Sequence, residues 1–142
     1  MPYTPVLKRE VLPTTCDGES VAMVWPMKIA AYVVAGLVAA IHLYILVLEM
    51  FLWRTERARA AFGTSKEFAE ASAPLAANQG LYNGFLAAGL IYGLIADSRA
   101  FLVFFLCCVV VAGVYGTLTA TRRILFVQVI PGAIALLLVL LA

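Results

Sequence analysis

The chain has 142 residues, of which 64% are hydrophobic and 13% are charged. Soluble domains typically carry about 25% charged residues and about half apolar ones, so this composition leaves too little polar surface to cover a water-soluble fold. The net charge of +2 is small, and the basic residues form no stripe or aromatic-interleaved patch, which argues against nucleic-acid binding. Lipid is therefore the expected solvent for most of the chain.

The first 27 residues are polar and rich in proline, with no helical or strand periodicity. We expect residues 1–27 to form a loosely ordered tail. Met23 and Met27 lie just before the first apolar run, so a start later than Met1 is a further hypothesis.

Four apolar runs follow the tail. A bilayer core of about 30 Å is crossed by a helix of about 20 residues, and each run reaches that length. Because the last three runs are joined by short links, we expect antiparallel neighbours. The sequence thus predicts an all-α membrane protein, a single domain over residues 28–142 that is a bundle of four transmembrane helices. The predicted helices cover residues 28–53, 75–96, 101–121 and 124–142.

The long connector, residues 54–74, contains two helix signals. Gly63 is predicted to end an extension of the first helix. The spacing of Thr64 and Glu67 is typical of a capping box that opens a short helix, which Pro74 would follow. Such a segment is either a lid that lies on the membrane surface or a plain solvated connector, and the second interpretation is favoured.

Basic residues predict the orientation in the cell membrane. The connector 54–74 and the link 121–123 share one side, which carries six basic residues, whereas the other side carries four. The positive-inside rule places the six in the cytoplasm. We therefore expect a multi-pass protein with both termini outside. Trp53 fits the inner aromatic belt, and Trp25 and Tyr92 fit the outer one.

Polar side chains within the predicted helices are informative, because each must be satisfied without water. His42 and Glu49 lie seven residues apart on one helix face, about 10.5 Å along the axis. Because the helices alternate in direction, the polar groups of all four fall in the cytoplasmic half of the bilayer. We predict a pocket open to the cytoplasm, with Glu49 and His42 as catalytic residues and His42 as its floor. The predicted binding residues are Trp53, Asn78, Gln79, Tyr82, Asn83, Tyr115, Thr119 and Gln128.

The strings that carry these residues resemble a known family. They are His42–Trp53, Asn78–Gly89, Ala112–Gly116 and Gln128–Pro131, of which Asn-Gln-Gly-Leu-Tyr-Asn-Gly is the most specific. Together they resemble the domain of unknown function 1304 family of small bacterial integral membrane proteins. The resemblance covers about Met27 to the C-terminus. It implies the same membrane architecture and supplies no activity.

Three functions are compatible with the polar cluster. A carboxyl, an imidazole and nearby amide and phenol donors suit proton transfer, so the first hypothesis is acid–base chemistry (isomerisation, hydration or cyclisation) on a lipophilic small molecule, or its binding. The second is a small proton-coupled transporter that uses Glu49. The third is a structural subunit in which the polar groups form interhelical hydrogen bonds. The first is favoured, since ionisable residues within a membrane are functional by default.

No cofactor and no metal are expected. His42 is the only histidine, and a metal site normally takes three or more protein ligands. Cys16, Cys107 and Cys108 have no regular spacing, which argues against a disulfide framework. The expected partners are membrane lipid and a lipophilic small molecule, and a homo-oligomer stays open.

Overall fold

The computed structural model describes the chain from Gly18 to Ala142, and the side chains from Trp25 onward. Over these residues the chain is helical and has no strand, which confirms the all-α class. A π-helical turn leads into the last helix. The elements are α1 (Gly18–Met50), α2 (Glu56–Phe62), α3 (Lys66–Ile95), α4 (Arg99–Thr119), the π-helical turn (Leu125–Val129) and α5 (Ile130–Leu141).

The first helix begins earlier than the sequence predicts. α1 starts at Gly18 and contains Pro26, so residues 18–27 are helical where a tail is expected. Proline fixes φ near the helical value and removes one backbone donor, and membrane helices tolerate it more often than soluble ones do. The remainder of the predicted tail, residues 1–17, lies outside the described residues.

A short helix follows α1 and is separate from it. α1 ends at Met50, and α2 begins after Thr55, whose side chain accepts a hydrogen bond from a backbone N–H of the new helix. This cap starts a helix in a new direction. Gly63 ends α2 with a φ of 68°, a conformation that favours glycine. Gly63 therefore ends a helix as predicted, but that helix is not an extension of α1.

α3 is continuous through Pro74, where the sequence predicts a helix end. Its N-cap is Ser65, and not the predicted Thr64. Pro74 removes the N–H that would donate to the Glu70 carbonyl, and its ring crowds the same carbonyl. Because Glu70 is exposed, that carbonyl can be solvated. The predicted connector thus contains α2 and the first turns of α3.

The four long helices form a ring in which α1 contacts α3 and α5, and α4 contacts the same two helices. Successive helices alternate in direction because their links are short. The ring has a connector end, which carries residues 51–65, and a turn end, which carries Asp97 and Ser98. Small and branched side chains fill its centre: Ala31, Ala35, Val38, Ala39, Leu90, Leu102, Leu106, Val109, Ala135 and Val139.

Glycines bring α1 and α3 together near the connector end. A Cβ atom on Gly80 would lie 2.6 Å from Met50 Cγ and 3.2 Å from the Leu46 carbonyl oxygen. A Cβ atom on Gly84 would lie 2.6 Å from Leu46 Cδ1. Neither position has room for a side chain. The small-xxx-small spacing of these two glycines therefore marks a close helix contact.

Two segments are long and apolar enough to be candidate membrane spans, Trp25–Met50 of α1 and Arg99–Thr119 of α4. Only 33% and 22% of their apolar stretches are buried, whereas the core helix of a soluble protein is mostly buried. Leu125–Leu141 is a shorter apolar helix. Of the four predicted spans, two therefore meet the length and composition criterion.

Candidate functional site

Glu49 lies in the last turn of α1, where its side chain is half-buried against α3. Its Oε2 atom accepts a 2.8 Å hydrogen bond from Asn83 Nδ2. The same amide nitrogen donates at 3.2 Å to the Gln79 carbonyl of the preceding turn, which fixes the Asn83 side chain. The hydrogen bond joins two of the predicted site residues, Glu49 on α1 and Asn83 on α3.

Glu49 also lines a cleft at the connector end, between the end of α1 and α3. The cleft has a volume of about 370 Å³, which is within the range of small-molecule sites. Its lining combines a few polar side chains with apolar ones, as in sites that orient a mostly apolar ligand. The lining residues are Glu49, Met50, Phe51, Trp53, Arg54, Thr55, Ala73, Pro74 and Ala77.

Trp53 is the second predicted site residue that lines this cleft. Its indole Nε1 donates a 3.1 Å hydrogen bond to Ser72 Oγ on α3. Its ring meets Phe62 of α2 edge-on, with 4.9 Å between the ring centroids. These two contacts tie the turn after α1 to both neighbouring helices and hold the indole at the cleft.

The cation in the cleft wall, Arg54, already has a partner. Its Nε atom lies 2.6 Å from Glu70 Oε2 on α3. Both side chains are more than half exposed, so the pair contributes little to stability. It does balance the charge of Arg54. Within the described part of the chain, no salt bridge involves Glu49.

His42 is fully buried in α1, two turns before Glu49, and does not line the cleft. Its Nδ1 atom lies 2.8 Å from the Val38 carbonyl oxygen, which favours the tautomer that donates there. Its Nε2 atom is buried and has no hydrogen-bond partner among the described residues. The predicted position of His42 as the floor of the pocket is therefore not observed, and its catalytic role stays a prediction.

The polar residues predicted on α3 and α4 do not converge on the cleft. Asn78, Gln79 and Tyr82 are exposed on α3, and their side chains make no hydrogen bond to α1 within the described structure. Tyr115 is 69% exposed. Thr119 is exposed as well and donates to the Tyr115 carbonyl of its own helix. These five residues share the connector half of the ring but not one pocket.

Gln128 lies in the π-helical turn before α5, away from the cleft. Its Nε2 atom donates a 3.0 Å hydrogen bond to the Val109 carbonyl of α4, so it links two helices. Of the ten predicted site residues, the structure brings together Glu49 and Trp53 at the cleft, and Asn83 through its bond to Glu49. The observed cleft therefore includes fewer of these residues than the single predicted pocket, and it lies at the connector end.

The cleft also has lining residues that sequence reasoning missed, because they lie in the turn after α1 and in the first turns of α3. Arg54 and Glu70 are 16 residues apart, a separation with no helical regularity, so no pattern predicts their pair. The same holds for Arg57 of α2, whose Nε donates at 3.1 Å to Tyr44 OH and whose guanidinium lies 5.4 Å from that ring's centroid. The one sequence signal that could have pointed to this part of the cleft is Pro74, which lies where polar sequence gives way to apolar sequence.

A family model described as "Protein of unknown function (DUF1304)" matches residues 36–140. The chain belongs to this family. The uncharacterized protein YpaA of Lactococcus lactis subsp. lactis (strain IL1403) is 32% identical over 115 residues, which cover 78% of this chain and 94% of YpaA. No solved structure matches the chain. The resemblance predicted from the sequence strings is thus confirmed, and the whole Glu49 cleft lies within the matched DUF1304 region.

A second cleft of about 260 Å³ lies at the turn end, partly outside the matched DUF1304 region. Lys28 Nζ is 2.7 Å from Asp97 Oδ2, and the Tyr32 hydroxyl donates to the other carboxyl oxygen. These donors, first of all Lys28, hold the pKa of Asp97 below its usual range. Arg99 donates at 2.6 Å to the Leu140 carbonyl. These contacts fasten the ends of the four long helices to one another.

Proposed function

We propose that this DUF1304 protein is a multi-pass membrane protein in which all four long helices cross the bilayer. The mostly unburied apolar stretches of α1 and α4 support this, because lipid is the solvent that such an exterior requires. α3 and α5 alternate with them around the ring. Charged side chains gather at the two ends, as they do in membrane proteins.

We further propose that the connector end faces the cytoplasm and that both termini lie outside, in the plasma membrane. The support is the excess of basic residues on the connector side, six against four. Trp53 at the connector end and the exposed Trp25 and Tyr92 at the turn end fit the two aromatic belts. The Glu49 cleft would then open at the inner surface of the membrane.

The function that we propose is the binding of a lipophilic small molecule in this cleft, with Glu49 as the group that exchanges a proton with it. One observation carries the proposal: a half-buried carboxyl, held by Asn83, lines a cleft of about 370 Å³. A carboxyl in such surroundings is suited to general acid–base chemistry. The acid–base role falls to Glu49 because His42 does not line the cleft.

Native mass spectrometry with extraction of bound molecules tests this proposal. Wild type, purified in a mild uncharged detergent, is compared with Glu49→Gln and with Glu67→Gln, which changes the net charge equally on an exposed residue outside the cleft. We expect a small lipophilic molecule to remain on wild type and on Glu67→Gln and to be absent from Glu49→Gln. If no molecule is retained and all three proteins are equally stable, the structural alternative replaces the proposal.

The transporter alternative has its own distinct outcome. Glu49→Gln would then retain the ligand and lose proton-coupled uptake into vesicles. Such a path would have to pass the turn end, where Lys28 pairs with Asp97.

A further inference from the structure

The charges around the Glu49 cleft favour a positive ligand. Arg54, the cation in the wall, is 2.6 Å from Glu70, so an incoming anion would have to displace a carboxylate from it. Glu49 has a hydrogen bond from Asn83 but, within the residues that the structure describes, no cationic partner. Counting these three side chains, the ionised cleft carries one net negative charge. A bound monovalent cation would neutralise this charge.

The other lining side chains suit an organic cation. Trp53 and Phe51 line the cleft with Met50, and aromatic faces attract ammonium groups, most strongly those of tryptophan. Ala73, Pro74 and Ala77 add an apolar wall on the side of α3. A carboxylate beside aromatic rings is the arrangement that proteins use to recognise substituted ammonium ions.

A metal ion fits this cleft poorly. Metal sites in proteins normally take three or more protein ligands at one point. Over residues 18–142, no group of three or more His, Cys, Asp or Glu side chains is placed to hold one ion. A protonated amine, in contrast, can be bound by one carboxylate and two aromatic rings.

Resting on the proposed function of this cleft, we infer that its ligand is a lipophilic organic cation, such as a protonated amine. The charged group lies against Glu49 and Trp53. The apolar part leaves the cleft past Phe51, which is 71% exposed and, in the proposed topology, faces lipid. The ligand therefore reaches the cleft from the inner surface of the bilayer.

Two ions of the same size and shape and of opposite charge test this inference: tetraphenylphosphonium and tetraphenylborate. The full chain carries Trp25→Phe, a change at an exposed residue, so that Trp53 is the single tryptophan reporter. In uncharged detergent, tetraphenylphosphonium should quench Trp53 fluorescence saturably, and tetraphenylborate should not. Added Glu49→Gln should weaken the phosphonium affinity by about tenfold. The matched Glu67→Gln change should leave the affinity unaltered.

A second variant guards against loss of folding. Glu49→Gln keeps an acceptor for Asn83, and Ala77→Leu fills the cleft without changing any charge. Both should keep the helix content of the parent by circular dichroism. Ala77→Leu should abolish phosphonium binding, and Glu49→Gln should weaken it by the same factor of about tenfold. Equal affinity for the two ions, or phosphonium binding indifferent to Glu49→Gln, overturns the cation inference.

The outcomes also separate this inference from the proposed function. Retention of a neutral or anionic molecule that Glu49→Gln loses leaves the binding function in place and contradicts the ligand class. If neither ion binds and no molecule is retained by wild type, both proposals fail together.

Discussion

The Asn83 amide nitrogen on α3 lies 2.8 Å from the Glu49 carboxyl on α1, beside the close contact of the two helices at Gly80. A Cβ atom on Gly80, one turn before Asn83, would lie 3.1 Å from Glu49 Cβ. The amide thus holds one carboxyl oxygen at the helix contact. The position of the Glu49 carboxyl, the proposed acid–base group, depends on this contact. The contribution of the Asn83–Glu49 hydrogen bond can be tested separately from ligand binding.

Replacing Asn83 by alanine should destabilise the protein by about 1 kcal/mol, the typical worth of an interhelical hydrogen bond in a membrane. The free energy of unfolding is measured by titration with sodium dodecyl sulfate in mixed micelles. Gln79→Ala is the matched control, because Gln79 is an exposed amide one turn earlier on α3. An equal loss in both variants would mean that the bond to Glu49 contributes nothing to stability.

Gly80→Ala should destabilise the α1–α3 contact, whereas Gly36→Ala should not. The new Cβ at position 80 would lie 2.6 Å from Met50 Cγ and 3.2 Å from the Leu46 carbonyl oxygen, so backbone has to move, at a cost of about 1–3 kcal/mol. At position 36 the nearest atom is Leu94 Cδ1 at 3.9 Å, an ordinary contact. There the higher helix propensity of alanine makes the change neutral or stabilising. The same unfolding titration compares the two, and similar values for both would contradict the close approach.

Sequence reasoning predicted the depth of the polar residues better than the direction in which they face. Alternating helix directions put Glu49, Asn83 and Tyr115 in one half of the ring, and the structure agrees. Which face of a helix each residue occupies depends on rotation about the axis, at about 100° per residue. Gly80 and Gly84 mark the face of α3 that meets α1, and that face includes Asn83 but excludes the exposed residues at positions 78 and 82.

The helix ends were predicted less well, because local signals there compete. Pro74 is a common helix stop, yet α3 runs through it since only one hydrogen bond is lost near an exposed helix end. Thr55 is an N-cap in a segment that propensity alone would continue from α1. The cleft lies among these ends, so most of its lining could not be derived from apolar periodicity.

Acid should weaken the turn end through Asp97. Because the pKa of Asp97 is lowered in the folded state, by Lys28 first and then by Tyr32, the carboxylate contributes stability above its unfolded pKa of about 3.9. That contribution is lost as the pH falls through the lower folded value. The melting temperature of wild type in detergent should therefore fall more steeply between about pH 5 and pH 2 than that of Asp97→Asn.

Asparagine is the right replacement because Asp97 has a φ of 49°, a left-handed conformation that asparagine tolerates and that alanine does not. Its amide keeps one acceptor for Lys28 or Tyr32 and removes the titration. Salt should reduce the difference between the two proteins, since the pair is exposed. If the melting temperatures of wild type and Asp97→Asn fall in parallel with pH at low salt, the Asp97 carboxylate is not the source of the acid sensitivity.

Cysteine accessibility tests the proposed orientation. In a chain without Cys16, Cys107 and Cys108, Ala96→Cys at the turn end should react with a membrane-impermeant maleimide in intact cells, because that end is proposed to lie outside. Ala60→Cys on α2 should react only after the cells are permeabilised. Both positions are exposed, so protein burial does not explain a difference between them.

A chain that retains Cys107 alone tests whether α4 crosses the membrane. It should resist labelling in intact and in permeabilised cells, because this exposed thiol in the middle of α4 would face lipid. The reverse pattern at positions 60 and 96 would invert the orientation, and labelling of Cys107 in intact cells would contradict a membrane-spanning α4.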